Sequence, residues 1–98
     1  MLILADIVSL KQDEDNFMLF DNLSGIIYKL NALSYEILSL CDGKNTDEYI
    51  LLNITESFDV TITEAEKDFE GLIQILLDKN YIYDNGNEKG GELYEKDL

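Results

Sequence analysis

Apolar residues in the first third of the chain occur in short runs that polar breaks separate. The runs lie at 7–12, 17–20 and 26–30, and they are rich in the β-branched and aromatic residues that favour strands. The polar stretch 13–16 forms the first break, and 21–25 forms the second, where a glycine suits a turn that needs a positive φ. The pattern predicts a meander of three antiparallel strands.

Beyond residue 30 the apolar period lengthens from two residues to about 3.6, which predicts helices. Asn31 and Thr46 occupy positions typical of N-caps. Thr61 and Thr63 are alternative caps of a last helix, because a glutamate follows each of them by three residues. The residues expected on the buried faces of these three helices are Leu33, Ile37, Leu40, Cys41; Ile50, Ile54, Phe58; and Ala65, Phe69, Leu72, Leu76.

The third predicted helix is apolar over about half of its circumference, which is more than a single contact requires. Ile73, Ile75 and Leu77 widen its apolar sector beyond the core stripe. Asn80 is expected to end this helix, and residues 81–83 are expected to pack back onto the sheet. The sequence therefore predicts an α+β fold with spare apolar surface on its last helix.

The periodic patterns stop near residue 83. Residues 84–98 are rich in Asn, Gly and charge and show no clear period. We predict one folded domain over 1–83, followed by a flexible acidic tail over 84–98.

Charge narrows the classes of partner. The chain of 98 residues has 21 acidic residues against seven basic ones, a net charge of -14, and all seven bases are lysines. Nucleic-acid binding needs a positive surface, and arginine is the side chain that grips phosphate and guanine in a bidentate fashion. We expect no nucleic-acid partner. Solubility explains the acidity most simply, and attraction of a basic partner surface is the alternative.

Residues that could carry catalysis are scarce. The chain has no histidine, and its one cysteine, Cys41, lies on a predicted buried stripe beside Asp42, which would raise the thiol pKa. A single cysteine cannot form an intrachain disulfide or a multi-cysteine metal site. The acidic run 13–15 begins like a calcium loop but lacks the glycine and the distal glutamate that such a loop needs. We expect no enzyme activity, no catalytic residue, no metal and no cofactor.

Targeting signals are also lacking. No apolar run reaches 18 residues, and residues 1–10 have neither a basic start nor a cleavage site. The sequence predicts no signal peptide and no membrane partner, so the cytoplasm is the expected location.

Several segments follow one another in an order that is typical of a known family. They are 17–25 (FMLFDNLSG), 28–31 (YKLN), 38–46 (LSLCDGKNT), the aromatic-containing loop 58–60, Asp68 and Leu72. With these segments the chain resembles the PqqD-like family, also called the RiPP recognition element (RRE), and the resemblance covers about 7–83. RiPPs are ribosomally made, post-translationally modified peptides.

The resemblance implies a winged-helix-like domain with a three-stranded antiparallel sheet followed by three helices. It also implies a stand-alone element to which the leader segment of a precursor peptide adds as a further strand. That strand would lie between the third predicted strand, whose edge has unpaired backbone groups, and the third helix. Carried onto this sequence, the peptide-binding residues are Ile26, Ile27, Tyr28, Lys29 and Leu30 on the strand, and Phe69, Glu70, Ile73, Gln74 and Leu77 on the helix.

The implied partners are a precursor leader peptide and a peptide-modifying enzyme, such as a radical SAM maturase or a lasso-peptide protease. The open strand edge would also allow two copies to pair as a homodimer. Two alternatives are an acidic protein–protein interaction module of another kind and a DNA-binding winged helix. The charge of the chain opposes the second alternative.

Overall fold

Five strands and three helices make up residues 1–85, the part of the chain that the computed structural model describes. The strands are β1 (Leu2–Leu4), β2 (Val8–Asp13), β3 (Asn16–Asp21), β4 (Ile27–Leu30) and β5 (Ile82–Asp84). The helices are α1 (Ala32–Ser39), α2 (Asp47–Ser57) and α3 (Ile62–Asp78). The predicted α+β fold, with a three-stranded antiparallel sheet followed by three helices, is confirmed.

The main sheet has the strand order β2-β3-β4, and both pairs are antiparallel. Leu19 of β3 lies opposite Leu10 on one side and Tyr28 on the other. The neighbouring row joins Lys11, Met18 and Lys29. Because side chains alternate across a strand, these two rows point to opposite faces of the sheet.

The turn between β3 and β4 is organised by one carboxylate. Asp21 Oδ1 accepts hydrogen bonds from the backbone N–H groups of Leu23 (2.9 Å) and Ser24 (3.0 Å). Gly25 follows with φ +84°, a conformation that side chains other than hydrogen rarely tolerate. The turn predicted at 21–25 therefore forms as expected.

The three helices begin at predicted caps. The side chains of Asn31, Thr46 and Thr61 each accept a hydrogen bond from a backbone N–H in the first turn. Of the two candidate starts for α3, the structure uses Thr61, which forms a capping box with Glu64. Asn80 follows the end of α3 with φ +61°, as expected for a residue that ends a helix.

One hydrophobic core joins the sheet to the helices. Its buried members include Leu19, Ile37, Cys41, Ile50, Ile54, Ala65, Phe69, Ile73 and Leu76. Leu33, Leu40, Phe58 and Leu72 are partly buried against this core. The buried faces predicted for the three helices are thus confirmed.

A second, two-stranded sheet was not expected. β1 pairs antiparallel with β5, with Leu4 opposite Ile82. Of the residues predicted to pack onto the main sheet, Tyr81 does contact it through the ring of Tyr28, whereas Ile82 and Tyr83 pair with β1 instead. None of the three helices within residues 1–85 is long and apolar enough to cross a membrane.

The predicted tail begins at the end of this small sheet. Asp84 closes β5, and its carboxylate lies 2.8 Å from the amino group of Met1. The backbone N–H of Asn85 donates to the carbonyl of Met1. The remainder of the predicted tail, 86–98, lies outside the described residues.

Candidate functional site

β4 is an edge strand. It pairs with β3 on one side, and no strand of residues 1–85 pairs with its other side. Backbone N–H and C=O groups along such an edge can accept a further strand. The structure therefore supplies the open edge that the sequence predicts.

A narrow apolar cleft runs beside this strand, between the sheet and α3. It encloses about 110 Å³. Leu19, Tyr28 and Leu30 line its sheet side, and Tyr81 lies at one end. The helix side is lined by Leu72, Ile75, Leu76 and Lys79. These four positions have the i, i+3, i+4, i+7 spacing of a single helix face.

Ile75 marks the open side of the cleft. Its side chain is 54% exposed, although a residue of this size and polarity is usually buried in a helix that packs on a sheet. Leu72, by contrast, is partly buried against the core. The α3 face therefore continues from the core into solvent beside β4.

Tyr28 connects the cleft to a polar network. Its ring packs edge-on against the ring of Tyr81, with the centroids 5.9 Å apart, and the Nζ atom of Lys79 lies 5.4 Å from the Tyr28 centroid. The Tyr81 hydroxyl donates to Asp21 Oδ2 at 2.7 Å and lies 3.3 Å from the Tyr28 hydroxyl. A cation, two aromatic rings and one buried carboxylate thus meet at this end of the cleft.

The hydrogen bonds in this network shift two pKa values in opposite directions. The pKa of Asp21 falls to about 2, mainly because the Tyr81 hydroxyl and then the Ser24 N–H stabilise its charged form. The same hydrogen bond raises the pKa of Tyr81, because ionised Tyr81 could no longer donate to Asp21. Asp21 therefore stays charged and Tyr81 stays protonated across the physiological range.

The structure distributes the ten predicted peptide-binding residues over several environments. Tyr28 and Leu30 line the cleft, whereas Ile27 and Lys29 lie on the opposite face of the sheet and Ile26 precedes the strand. On α3, Phe69 and Ile73 are buried in the core, Glu70, Gln74 and Leu77 are exposed, and none of these five lines the cleft. The assignment of all ten to peptide binding stays a prediction.

The helix wall of the cleft, formed by Leu72, Ile75, Leu76 and Lys79, was not predicted from the sequence. On a helix, Ile75 and Lys79 lie to one side of the Ala65–Phe69 core stripe, and Ile73 and Leu77 lie to the other. Ile75 does belong to the widened apolar sector found in the sequence. The width of this apolar sector was the available sequence signal for the cleft, but it did not show which side of the core stripe faces β4.

The one cysteine is unsuited to nucleophilic chemistry. Burial, followed by the charges of Asp47 and Asp42, raises the pKa of the Cys41 thiol to about 12. Its sulfur lies 3.3 Å from the Ile37 carbonyl within the core. What the cleft beside β4 offers is backbone pairing, apolar contact and one cation, Lys79.

Comparison with known proteins gives one family and two similar folds. The family model described as "Coenzyme PQQ synthesis protein D (PqqD)" matches residues 16–82, which include β3, β4 and all three helices. No curated protein sequence matches the chain significantly.

Two solved structures share the fold. The first, "TbiB1 in Complex with the TbiA(beta) Leader Peptide", has a TM-score of 0.70 at 22% identity and covers 82% of this chain and 93% of that chain. The second, "Lasso peptide synthetase B1 complexed with the leader peptide", has a TM-score of 0.71 at 22% identity and covers 84% of this chain and 96% of that chain.

Proposed function

Because the chain belongs to the PqqD family, we propose that it is a stand-alone, non-catalytic adaptor for a precursor peptide. In this proposal the leader segment of the peptide adds to β4 as an extra strand. The adaptor then presents the peptide to an enzyme that modifies it. This is the function of a RiPP recognition element.

The observation that carries the proposal is the open edge of β4 beside an apolar cleft. An extended peptide on this edge would hydrogen-bond to the strand through its backbone, which gives affinity with little dependence on sequence. Its alternate side chains would point into the cleft, which Tyr28 and Leu30 line from the strand and Ile75 lines from the helix. Specificity would come from those side chains.

The size of the cleft supports a peptide rather than a small molecule. Pockets for drug-sized ligands and cofactors enclose roughly 300–1,000 Å³, whereas this cleft encloses about 110 Å³. That volume suits an apolar side chain of an extended segment. The rest of the ligand would then lie along the strand.

The two structural neighbours support the same reading. TbiB1 and lasso peptide synthetase B1 were each solved with a leader peptide bound. Transferred to this chain, the likeness makes a leader peptide the first candidate ligand. The enzyme that receives the peptide, a radical SAM maturase or a lasso-peptide protease, and a cytoplasmic location are parts of the proposal.

A homodimer would use the same backbone groups. If two copies paired through β4, neither edge would be free for a peptide. We therefore propose that dimerisation through β4, where it occurs, competes with peptide binding. No comparable observation favours the other interpretations, and a DNA-binding role conflicts with the net charge of -14.

The test uses synthetic peptides that cover the leader segments of the short precursors encoded beside the gene. Fluorescence anisotropy gives the affinity, and ¹⁵N amide shifts give the binding site. We expect shifts at Ile27–Leu30 and around Ile75 of α3. Shifts that avoid both regions would contradict the proposal.

A proline scan of the bound peptide tests strand addition directly. Proline removes one backbone N–H, and along an added strand only alternate N–H groups point to the neighbouring strand. Affinity should therefore fall most at every second position of the paired segment. A helical ligand would instead lose affinity on any interior proline, without a period of two.

A further inference from the structure

The face of the main sheet that points away from the cleft carries three adjacent apolar side chains, Met18, Phe20 and Ile27, among polar ones such as Ser9. We define the outer-face patch as Lys11, Met18, Phe20, Ile27 and Lys29. Phe20 lies opposite Ile27, and Met18 lies between Lys11 and Lys29 in one cross-strand row. Ile27 is 55% exposed, and Met18 and Phe20 are half-buried. An antiparallel sheet with one face on the core normally turns polar residues to the other face.

A shallow depression overlaps the outer-face patch. Asp13, Asn16, Met18, Ile27 and Lys29 line it, and it encloses about 330 Å³, more than the cleft does. No side chain of residues 1–85 fills it. The nearby β3–β4 turn adds exposed apolar side chains, since Leu23 is 80% exposed and Ile26 is 48% exposed. Groups of exposed apolar side chains are typical of sites of protein interaction.

Charge indicates what would cover this surface. The chain has seven lysines against 21 acidic residues, yet two of those lysines flank Met18 on this one face. In the part of the chain that the structure describes, neither Lys11 nor Lys29 makes an ion pair. Asp13, at the hairpin end of the depression, is the one carboxylate among its lining residues. Two unpaired cations beside an apolar centre fit carboxylates on an apolar partner surface.

A second copy of the chain fits poorly. Two copies stacked face to face around a two-fold axis would bring Lys11 and Lys29 of each toward the lysines of the other. Both copies also carry a net charge of -14. Self-association through this face would therefore place like charges against one another.

We propose that the outer-face patch is a docking surface for a partner protein whose apolar side chains are flanked by carboxylates. The patch and the cleft lie on opposite faces of one sheet. A protein on the patch and a peptide on β4 can therefore be held at the same time. The inference rests on the proposed function for the choice of partner, which is the peptide-modifying enzyme.

The first experiment measures the affinity of the purified peptide-modifying enzyme encoded beside the gene, without peptide present. The variant Lys11→Glu/Phe20→Ser changes β2 and β3 but leaves β4 intact. The matched control is Lys44→Glu/Leu52→Ser, which makes the same change of charge and also replaces an apolar side chain by serine, at two exposed positions outside the main sheet. We expect the first variant to bind the enzyme at least 10-fold more weakly, and the control to bind within twofold of the wild type.

Three results would overturn the inference. The first is an enzyme that binds the wild type and both variants equally. The second is an equal loss in the control, which would indicate net charge alone, and the third is an enzyme that does not bind the wild type. Leader-peptide affinity, measured separately, should stay within twofold in every variant. Absence of peptide binding would contradict the proposed function without affecting the enzyme measurement.

The second experiment uses the two methionines of the chain. With ¹³C-methyl labelling, Met18 reports on the outer-face patch, and Met1, next to β1, is an internal control. Added enzyme should shift or broaden the Met18 signal and leave Met1 unchanged. A Met18 signal that depends on protein concentration would identify a second copy as the occupant. A nuclear Overhauser contact from Met18 to residues 86–98 would identify the tail, and either result would overturn the proposal.

Discussion

Two apolar parts of α3 have opposite surroundings. Ala65, Phe69 and Ile73 are buried in the core, whereas Ile75, on the side of the helix that lines the cleft, is 54% exposed. Both parts are apolar, so hydrophobicity alone does not distinguish a residue that holds the fold from one that is available to a ligand. What distinguishes them is whether another part of the chain covers them. Substitutions in the two parts should therefore affect different measurements.

Phe69→Ala should have the largest effect, and it should act on stability. Phe69 is 6% exposed, and truncation of a buried phenylalanine to alanine costs about 3–5 kcal/mol of unfolding free energy. Small domains have roughly 5–15 kcal/mol in total, so the variant should unfold at a much lower urea concentration. Urea titration followed by circular dichroism measures this. A loss below about 1 kcal/mol would mean that Phe69 does not contribute to the core.

Ile75→Glu should weaken ligand binding without destabilising the fold. A carboxylate at the mouth of an apolar cleft should weaken leader-peptide binding at least 10-fold, which corresponds to about 1.4 kcal/mol. Because the side chain is largely exposed, the free energy of unfolding should change by no more than about 0.5 kcal/mol. Fluorescence anisotropy and urea titration measure the two quantities.

The matched control for this variant is Leu52→Glu on α2, where the wild-type side chain is 55% exposed against 54% for Ile75. It introduces the same charge outside the cleft. Peptide affinity should stay close to that of the wild type. Equal losses in both variants would show that added negative charge, rather than the cleft, governs binding.

Tyr81→Phe should have the smallest effect at neutral pH, and that effect should depend on pH. The variant loses the donor that lowers the pKa of Asp21 to about 2, below its ordinary value of 3.8. A group whose pKa is lower in the folded state stabilises the fold when the pH is above its unfolded-state pKa. This stabilisation is lost as the pH falls through the folded-state pKa. The wild type should therefore exceed the variant in stability at pH 6, and the difference should shrink between about pH 4 and pH 2. Urea midpoints at pH 6, 4 and 2.5 test this, and a constant difference would exclude the Asp21 link.

Local signals in the sequence were sufficient for the main sheet and the helices. The caps at Asn31 and Thr46 and the turn that ends at Gly25 each act within a few residues, so their chemistry can be read directly from the chain. The spacing did not show whether Thr61 or Thr63 caps α3, because a glutamate follows each of them by three residues. The structure resolves it in favour of Thr61.

Contacts between distant residues could not be predicted in this way. β1 and β5 are three residues long each, too short for an alternating pattern, and they pair across almost the whole described chain. The hydrogen bond from Tyr81 to Asp21 spans 60 positions. Periodicity showed that the apolar sector of α3 is too wide for the core alone, but the side that faces β4 depends on how the helix packs in three dimensions.

Tyr81 also holds the two walls of the cleft in position relative to each other. Its backbone N–H donates to the Leu76 carbonyl in the last turn of α3, and its hydroxyl donates to Asp21 at the end of β3. The helix wall and the strand wall are thus cross-linked by a single residue, so the gap between them is preorganised. A ligand that enters a preorganised gap loses less conformational entropy than one that must first arrange its receptor. Peptides should accordingly be selected by the width of the side chain that they place there.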